Sequence, residues 1–248
     1  MDKFIYIASS GANETLKSLA IRSNNLANAN SIGFKADFEQ AKTQQAYGDG
    51  LPTRVFAIAE NPGQNFTAGS LQTTGRDLDV AVEGQGWIAI QDKDGQEAYT
   101  RNGNLKVSAL GFLQTETGQN VLDNNQQPIA VPMPVEKIQI ASDGVINARL
   151  QGAAPADVQV LQQIKLVNPD VKQMTKGTDG LFRMSDGSTA QADPKVKLVS
   201  GALENSNVNV VEELTNLISL QRHFETQIKM MSIAEKTDES QNQLIRNS

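Results

Sequence analysis

Where this chain places its helix breakers constrains its fold more than any other feature. All 8 prolines lie between Pro52 and Pro194, and 17 of the 19 glycines lie between Gly48 and Gly201. Glycine and proline are the two residues least compatible with a helix interior. The two ends are therefore free to be helical while the middle is not.

The ends carry the matching periodicity. Ile5, Ser9, Ala12, Leu16, Leu19, Ser23, Leu26 and Asn30 follow alternating steps of four and three, the spacing of a coiled-coil seam. Val210, Leu214, Leu217, Gln221, Phe224, Ile228, Met231 and Glu235 repeat the rule near the other end. Asn209 and Glu212 form an Asn-x-x-Glu start signal, and Glu212 and Glu213 sit where the helix dipole favours acids. A helix over 210–246 would be about 55 Å long, more than a small domain can wrap. The first helix should end near Asn28–Gly33, where Asn and Gly tolerate a left-handed cap. Both stripes are weakly apolar. They are expected to pair in a coiled-coil-like inner domain and to order largely on assembly, because isolated helices are marginal.

Between the ends the period falls to two. Leu78, Val80 and Val82 alternate with Asp79, Ala81 and Glu83, and Asp92-Lys93-Asp94-Gly95 reads as a hairpin turn. Further turn signals stand at Asn102-Gly103, Thr117-Gly118, Asp123-Asn124, Asp143-Gly144, Asp179-Gly180 and Asp186-Gly187. The fold class is mainly β with helical termini, an antiparallel β-rich central domain between N- and C-terminal α-helices. The expected boundaries are 1–32 for the first helix, 33–75 for an extended connector, 76–205 for the β-rich outer domain and 206–248 for the second helix. Tyr47-Gly48-Asp49-Gly50 and Asn61-Pro62-Gly63 mark the connector.

Composition narrows the function. A net charge of −6 with no basic run argues against a nucleic-acid partner, since phosphate neutralisation needs clustered Lys and Arg. The absence of cysteine excludes disulfides and thiolate metal sites. No stretch is apolar enough for membrane insertion, and Met1–Ile7 does not read as a cleaved secretory signal.

The search for chemistry finds no catalytic, cofactor-binding or metal site. His223 is the single histidine and stands beside the helical seam, where a solvated position is expected. Asp92-Lys93-Asp94-Gly95 has its Gly at the wrong place for a calcium loop. Gly84-Gln85-Gly86 lacks the rest of a dinucleotide fingerprint. Asp77 and Asp79 share one face of a strand and could act as paired carboxylates in a cell-wall-cleaving enzyme, but they read better as polar residues on its wet side. The run Ser23-Asn24-Asn25-Leu26-Ala27-Asn28-Ala29-Asn30 is different. So many amides near one helix end suit contacts to adjacent subunits that fix register.

This run, continued by Ser31-Ile32-Gly33-Phe34-Lys35, resembles the N-terminal signature of bacterial flagellar rod and hook proteins. Two further blocks carry the likeness. One is Gly69-Ser70-Leu71-Gln72-Thr73-Thr74-Gly75-Arg76-Asp77-Leu78-Asp79 through Trp87 with Tyr99-Thr100-Arg101-Asn102-Gly103; the other is Gly201-Ala202-Leu203-Glu204-Asn205-Ser206-Asn207-Val208-Asn209 leading to Gln221-Arg222-His223-Phe224-Glu225. The opening Met1-Asp2-Lys3-Phe4-Ile5-Tyr6 and the stretch Arg222–Lys229 look most like the proximal rod branch, with the distal rod branch as the alternative. Ser31-Ile32 departs from the commoner Thr-Pro or Thr-Gly and touches only the local turn. The resemblance implies a structural, self-assembling subunit of the periplasm-spanning rod in the basal body. Its partners would be copies of itself, other rod proteins and the flagellar type III export apparatus. The expected assembly interface is Ile5, Ala12, Leu16, Leu19, Ser23, Asn24, Asn25, Leu26, Asn28, Val210, Leu214, Leu217, Phe224, Ile228 and Met231.

Overall fold

The computed structural model describes residues 2–39, 41–45, 55–59, 63–152, 154 and 157–246. The chain divides into two compact units. One comprises Met1–Ala29, Ala36–Asn65 and Val208–Ser248; the other comprises Asn30–Lys35 and Phe66–Asn207.

The first unit holds both long helices, α1 (Asp2–Ala27) and α2 (Val210–Arg246). Asn209 starts α2 as its sequence requires. Its Oδ1 accepts from the amides of Val211 at 3.1 Å and Glu212 at 3.3 Å, satisfying donors that a helix start leaves open. α1 stops at Ala27, and the amide of Asn28 still reaches the carbonyls of Asn24 and Asn25. The left-handed residue in the expected stretch is Gly33, at φ 69°. Thr15 contacts Gln227 while Arg22 contacts Glu213, so the two helices run antiparallel.

Residues 33–75, expected as a connector, carry structure of their own. Ala41–Gln45 pairs with Val55–Ala59, and Asp37–Phe38 pairs with Gly63–Gln64. Residues 36–65 group with the helices, and residues 66–75 belong to the other unit. The turn signal Tyr47-Gly48-Asp49-Gly50 and the residues Asn61 and Pro62 lie outside the described residues.

The second unit is built from antiparallel pairs throughout its described strands. Trp87–Gln91 is central to its largest sheet, bonding Glu97–Thr100 along one edge and both Asn120–Val121 and Leu166–Val167 along the other. Val135–Ile140, Val145–Leu150 and Gln159–Gln163 pair in that order as a separate three-stranded sheet, whose Ile138, Ile140 and Ile146 share an apolar cluster with Ile88 and Ile90 of the large one. The expected turns close several of these pairs. Asp92 Oδ1 accepts from the amides of Asp94 and Gln96, and Gly95 takes φ 80°. Ile88, Ile90, Leu105, Leu113, Val121 and Ile146 are fully buried in one apolar cluster. Trp87, Tyr99 and Phe182 form a second, with the Trp87 and Phe182 rings 4.5 Å apart.

Period-two alternation does not describe the strand Val80–Glu83. Val80 and Val82 are buried as expected, but Ala81 and Asp79 are buried too. Asp79 is therefore not on a wet face. Its Oδ2 accepts from Thr74 Oγ1 at 2.7 Å and its Oδ1 lies 3.3 Å from the Arg76 guanidinium, which pins the turn before the strand.

Candidate assembly surface

Within the helical unit, the buried stripe of α1 starts from its smallest residues. Ala8, Ala12, Thr15, Ser18 and Asn25 are buried, and Gly11 and Arg22 are half-buried on the same side. Positions 8, 11, 15, 18, 22 and 25 keep the steps of three and four, but one residue behind the stripe picked out by apolar periodicity. Small side chains allow close approach: a Cβ on Gly11 would lie 2.9 Å from Gln227 Nε2 of α2. The matching side of α2 holds Glu213, Leu217, Leu220, Phe224, Gln227, Met231 and Ala234.

Polar contacts complete this inner face. Thr15 Oγ1 donates to Gln227 Oε1 at 3.1 Å, and Ser18 donates to Glu39. Asn25 is fully buried. Its Nδ2 donates to the Asp37 carbonyl at 2.7 Å and to Glu213 Oε1 at 3.1 Å, while its Oδ1 accepts from the Asp37 amide at 2.9 Å. Arg22 reaches both oxygens of the same Glu213. A buried carboxylate needs such donors, because without them its desolvation is uncompensated.

The expected interface residues thus fall into two sets. Ala12 and Asn25 are buried inside the unit, and Leu19, Leu26, Asn28, Leu217, Phe224 and Met231 are half-buried. Leu16 (47% exposed), Ser23, Asn24, Val210, Leu214 and Ile228 face outward. The side chain of Ile5 lies outside those described. Ile218 (55% exposed), Val211 and Ile233 join the outward apolar set, and apolar periodicity alone had not singled them out. His223 is exposed, and among the described residues no group of acidic or histidine side chains could hold a metal ion.

The β unit has a buried charge cluster that sequence reasoning missed. Glu204 and Lys35 are each 1% exposed and Arg101 is buried. Lys35 Nζ lies 2.6 Å from Glu204 Oε1, and Arg101 donates to Oε2 at 2.9 Å. The Gly69 amide donates to Oε1 at 2.9 Å, and the Gly33 amide donates to the Glu204 carbonyl at 2.7 Å. Burial pushes the Lys35 ammonium below its usual range. Burial would raise the Glu204 carboxyl, but the Lys35 hydrogen bond, the Arg101 charge and the Gly69 amide hold it below the ordinary carboxylate range. Two cations around one anion explain the carboxyl's direction, while for Lys35 burial outweighs the attraction of Glu204 and the Arg101 charge adds to the lowering. Arg101 also stacks over Trp87, 5.5 Å from the ring centroid.

Gly33, Lys35, Gly69, Arg101 and Glu204 come from all three sequence blocks that carry the family likeness. Comparison with known proteins agrees across the chain. Residues 5–35 match the flagella basal body rod protein model, residues 81–148 the flagellar hook protein FlgE/F/G D1 domain, and residues 199–244 the flagellar basal body rod FlgEFG protein C-terminal model. The flagellar basal-body rod protein FlgF of Escherichia coli K12 is 39% identical over 99% of both chains. The chain belongs to the flagellar basal-body rod protein family. FlgF of Caulobacter vibrioides is 34% identical over 93% of both chains. FlgG of Agrobacterium fabrum is 33% identical over 93% of this chain and 94% of its own. Membership locates the protein in the flagellar basal body, and no described helix is long and apolar enough to cross a membrane.

Proposed function

We infer that this rod-family protein is a structural subunit of the proximal rod, of the FlgF kind, that assembles through its terminal helices and transmits torque. The observation that carries this reading is the end-to-end likeness to FlgF proteins. The outward apolar faces of the helical unit supply its physical counterpart. Leu16, Val210, Leu214, Ile218 and Ile228 leave their side chains in water, and neighbouring copies or other rod subunits would bury them at about 25 cal/mol per Å². The inner sides of α1 and α2, with Leu217, Phe224 and Met231, pair the helices in a coiled-coil-like axial domain. The β unit forms an outer domain.

The subunit works without catalysis, and export through the flagellar type III apparatus delivers it to the growing end. The test is complementation of a strain lacking the protein. Wild-type chain restores rods and motility, whereas Leu214→Asp, at an outward position, leaves a folded monomer that does not enter rods. Recovery of full motility by Leu214→Asp would overturn the assignment of that face.

A further inference from the structure

The polypeptide passes between its two units four times, at residues 29–30, 35–36, 65–66 and 207–208. On the β side these passages belong to three short segments, 30–35, 66–69 and 204–207, and all three meet at Glu204. Its carboxylate takes Lys35 of the first and the Gly69 amide of the second. Its carbonyl takes the Gly33 amide. Lys35 Nζ also donates to the Thr67 carbonyl at 2.9 Å. Asn207 closes the ring, with its amide on the Phe34 carbonyl at 3.4 Å and its Nδ2 on the Thr67 carbonyl at 3.1 Å. Arg101 anchors the whole to the sheet, donating to the carbonyls of Val82 and Gly84.

We propose that Glu204, with Lys35 and Asn207, is a clasp that fixes the three root segments of the β unit to one another, so that load reaching any of them is carried by all. The proposal rests on the reading of the protein as a torque-bearing subunit. Apolar side chains of similar volume would fill the same space without the desolvation cost of buried charges. They would not hold the segments in one register, because apolar contact is non-directional. Hydrogen bonds to a buried carboxylate are directional and are strengthened by the low local dielectric. Close backbone approach supports the same conclusion. A Cβ on Gly69 would fall 1.9 Å from the Asn205 carbonyl oxygen, and one on Gly33 would fall 2.4 Å from Arg101 backbone.

The test is residue-resolved amide exchange on the full-length monomer for wild type, Glu204→Gln and the milder, more peripheral Asn207→Ala. The clasp requires the Gly33, Gly69 and Asn205 amides to exchange faster together, by about tenfold or more, in both variants, with Ala89 and Leu113 in the sheets unchanged. Wild-type rates at Gly33 and Gly69 in Asn207→Ala, or a change confined to Gly69 in Glu204→Gln, would overturn it. In cells, Asn207→Ala is expected to build rods and swim normally in dilute medium but to lose speed against wild type as viscosity rises. Equal speeds at every viscosity would remove the mechanical role. A failure of the rod reading itself would appear elsewhere, as wild-type chain that cannot complement the deletion.

Discussion

The buried amide of Asn25 in α1 donates to the carboxylate of Glu213 in α2, and the same side chain brackets the Asp37 backbone with a donor and an acceptor. One Asn therefore ties both helices to the strand that follows α1. The sequence run of Asn residues suggested amides reaching toward neighbouring copies, but this one is consumed within its own chain.

Asn25→Ala should therefore cost the helical unit about 2 kcal/mol, since it leaves the buried Glu213 carboxylate to Arg22 alone and removes both side-chain hydrogen bonds to the Asp37 backbone. Asn24→Ala, at an exposed position in the same run, should stay within about 0.5 kcal/mol of wild type. Denaturant titration followed by helical circular dichroism compares the two directly.

The two sides of α2 predict different phenotypes. Leu217→Asp and Phe224→Asp place a charge between the helices, so they should lower monomer stability as well as motility, with the β unit still folded. Leu214→Asp and Ile228→Asp should abolish rod incorporation while the melting temperature of the monomer stays unchanged. Equal destabilisation by all four would mean that α2 buries no distinct inner side.

Acid should loosen the β unit through one arginine. Arg183 lies 2.7 Å from both Asp92 and Asp179. Burial would raise the Asp92 carboxyl, but Arg183 and the amides of Gln96 and Asp94 hold it below the carboxylate range; the Arg183 hydrogen bond depresses Asp179. A depressed carboxylate contributes its full stability above the unfolded pKa of about 3.9, and loses it as pH falls through the lower folded value. Unfolding free energy of wild type should therefore drop steeply below about pH 4. Arg183→Gln should be less stable at neutral pH and show a shallower acid limb. Parallel limbs would exclude this cluster as the source.

Gly33 and Gly118 both hold a positive φ but should respond differently to alanine. At Gly118 the space is open, so Gly118→Ala should cost only the backbone strain of about 1–2 kcal/mol. At Gly33 the added methyl meets the Arg101 backbone as well, so Gly33→Ala should cost clearly more. Thermal unfolding of the β unit measures both.

Much of the architecture was legible because it is local. The Asn209 cap, the Asp92–Gly95 turn and the exposed His223 follow from neighbouring residues alone. The register of α1 was not legible in the same way. Its inner side is Ala, Gly, Thr, Ser and Asn, so apolar periodicity selected the adjacent stripe that carries Leu16. Asp79 was misread because its partners sit in the preceding turn, outside any strand pattern. The Glu204 cluster was hidden by distance along the chain: Lys35 and Arg101 stand 169 and 103 residues away. Single charges in Gly-rich surroundings gave the only signal.

The small-residue side of α1 has a consequence for how such a subunit can change over time. Because α1 offers α2 mainly methyls, hydroxyls and a carboxamide, its Leu16 is left over for the outside, as are Leu214 and Ile218 on the far side of α2. Substitutions that retune which neighbours a copy accepts can then accumulate on Leu16, Leu214 or Ile218 without loosening the pair itself, so specificity and foldability are free to drift separately.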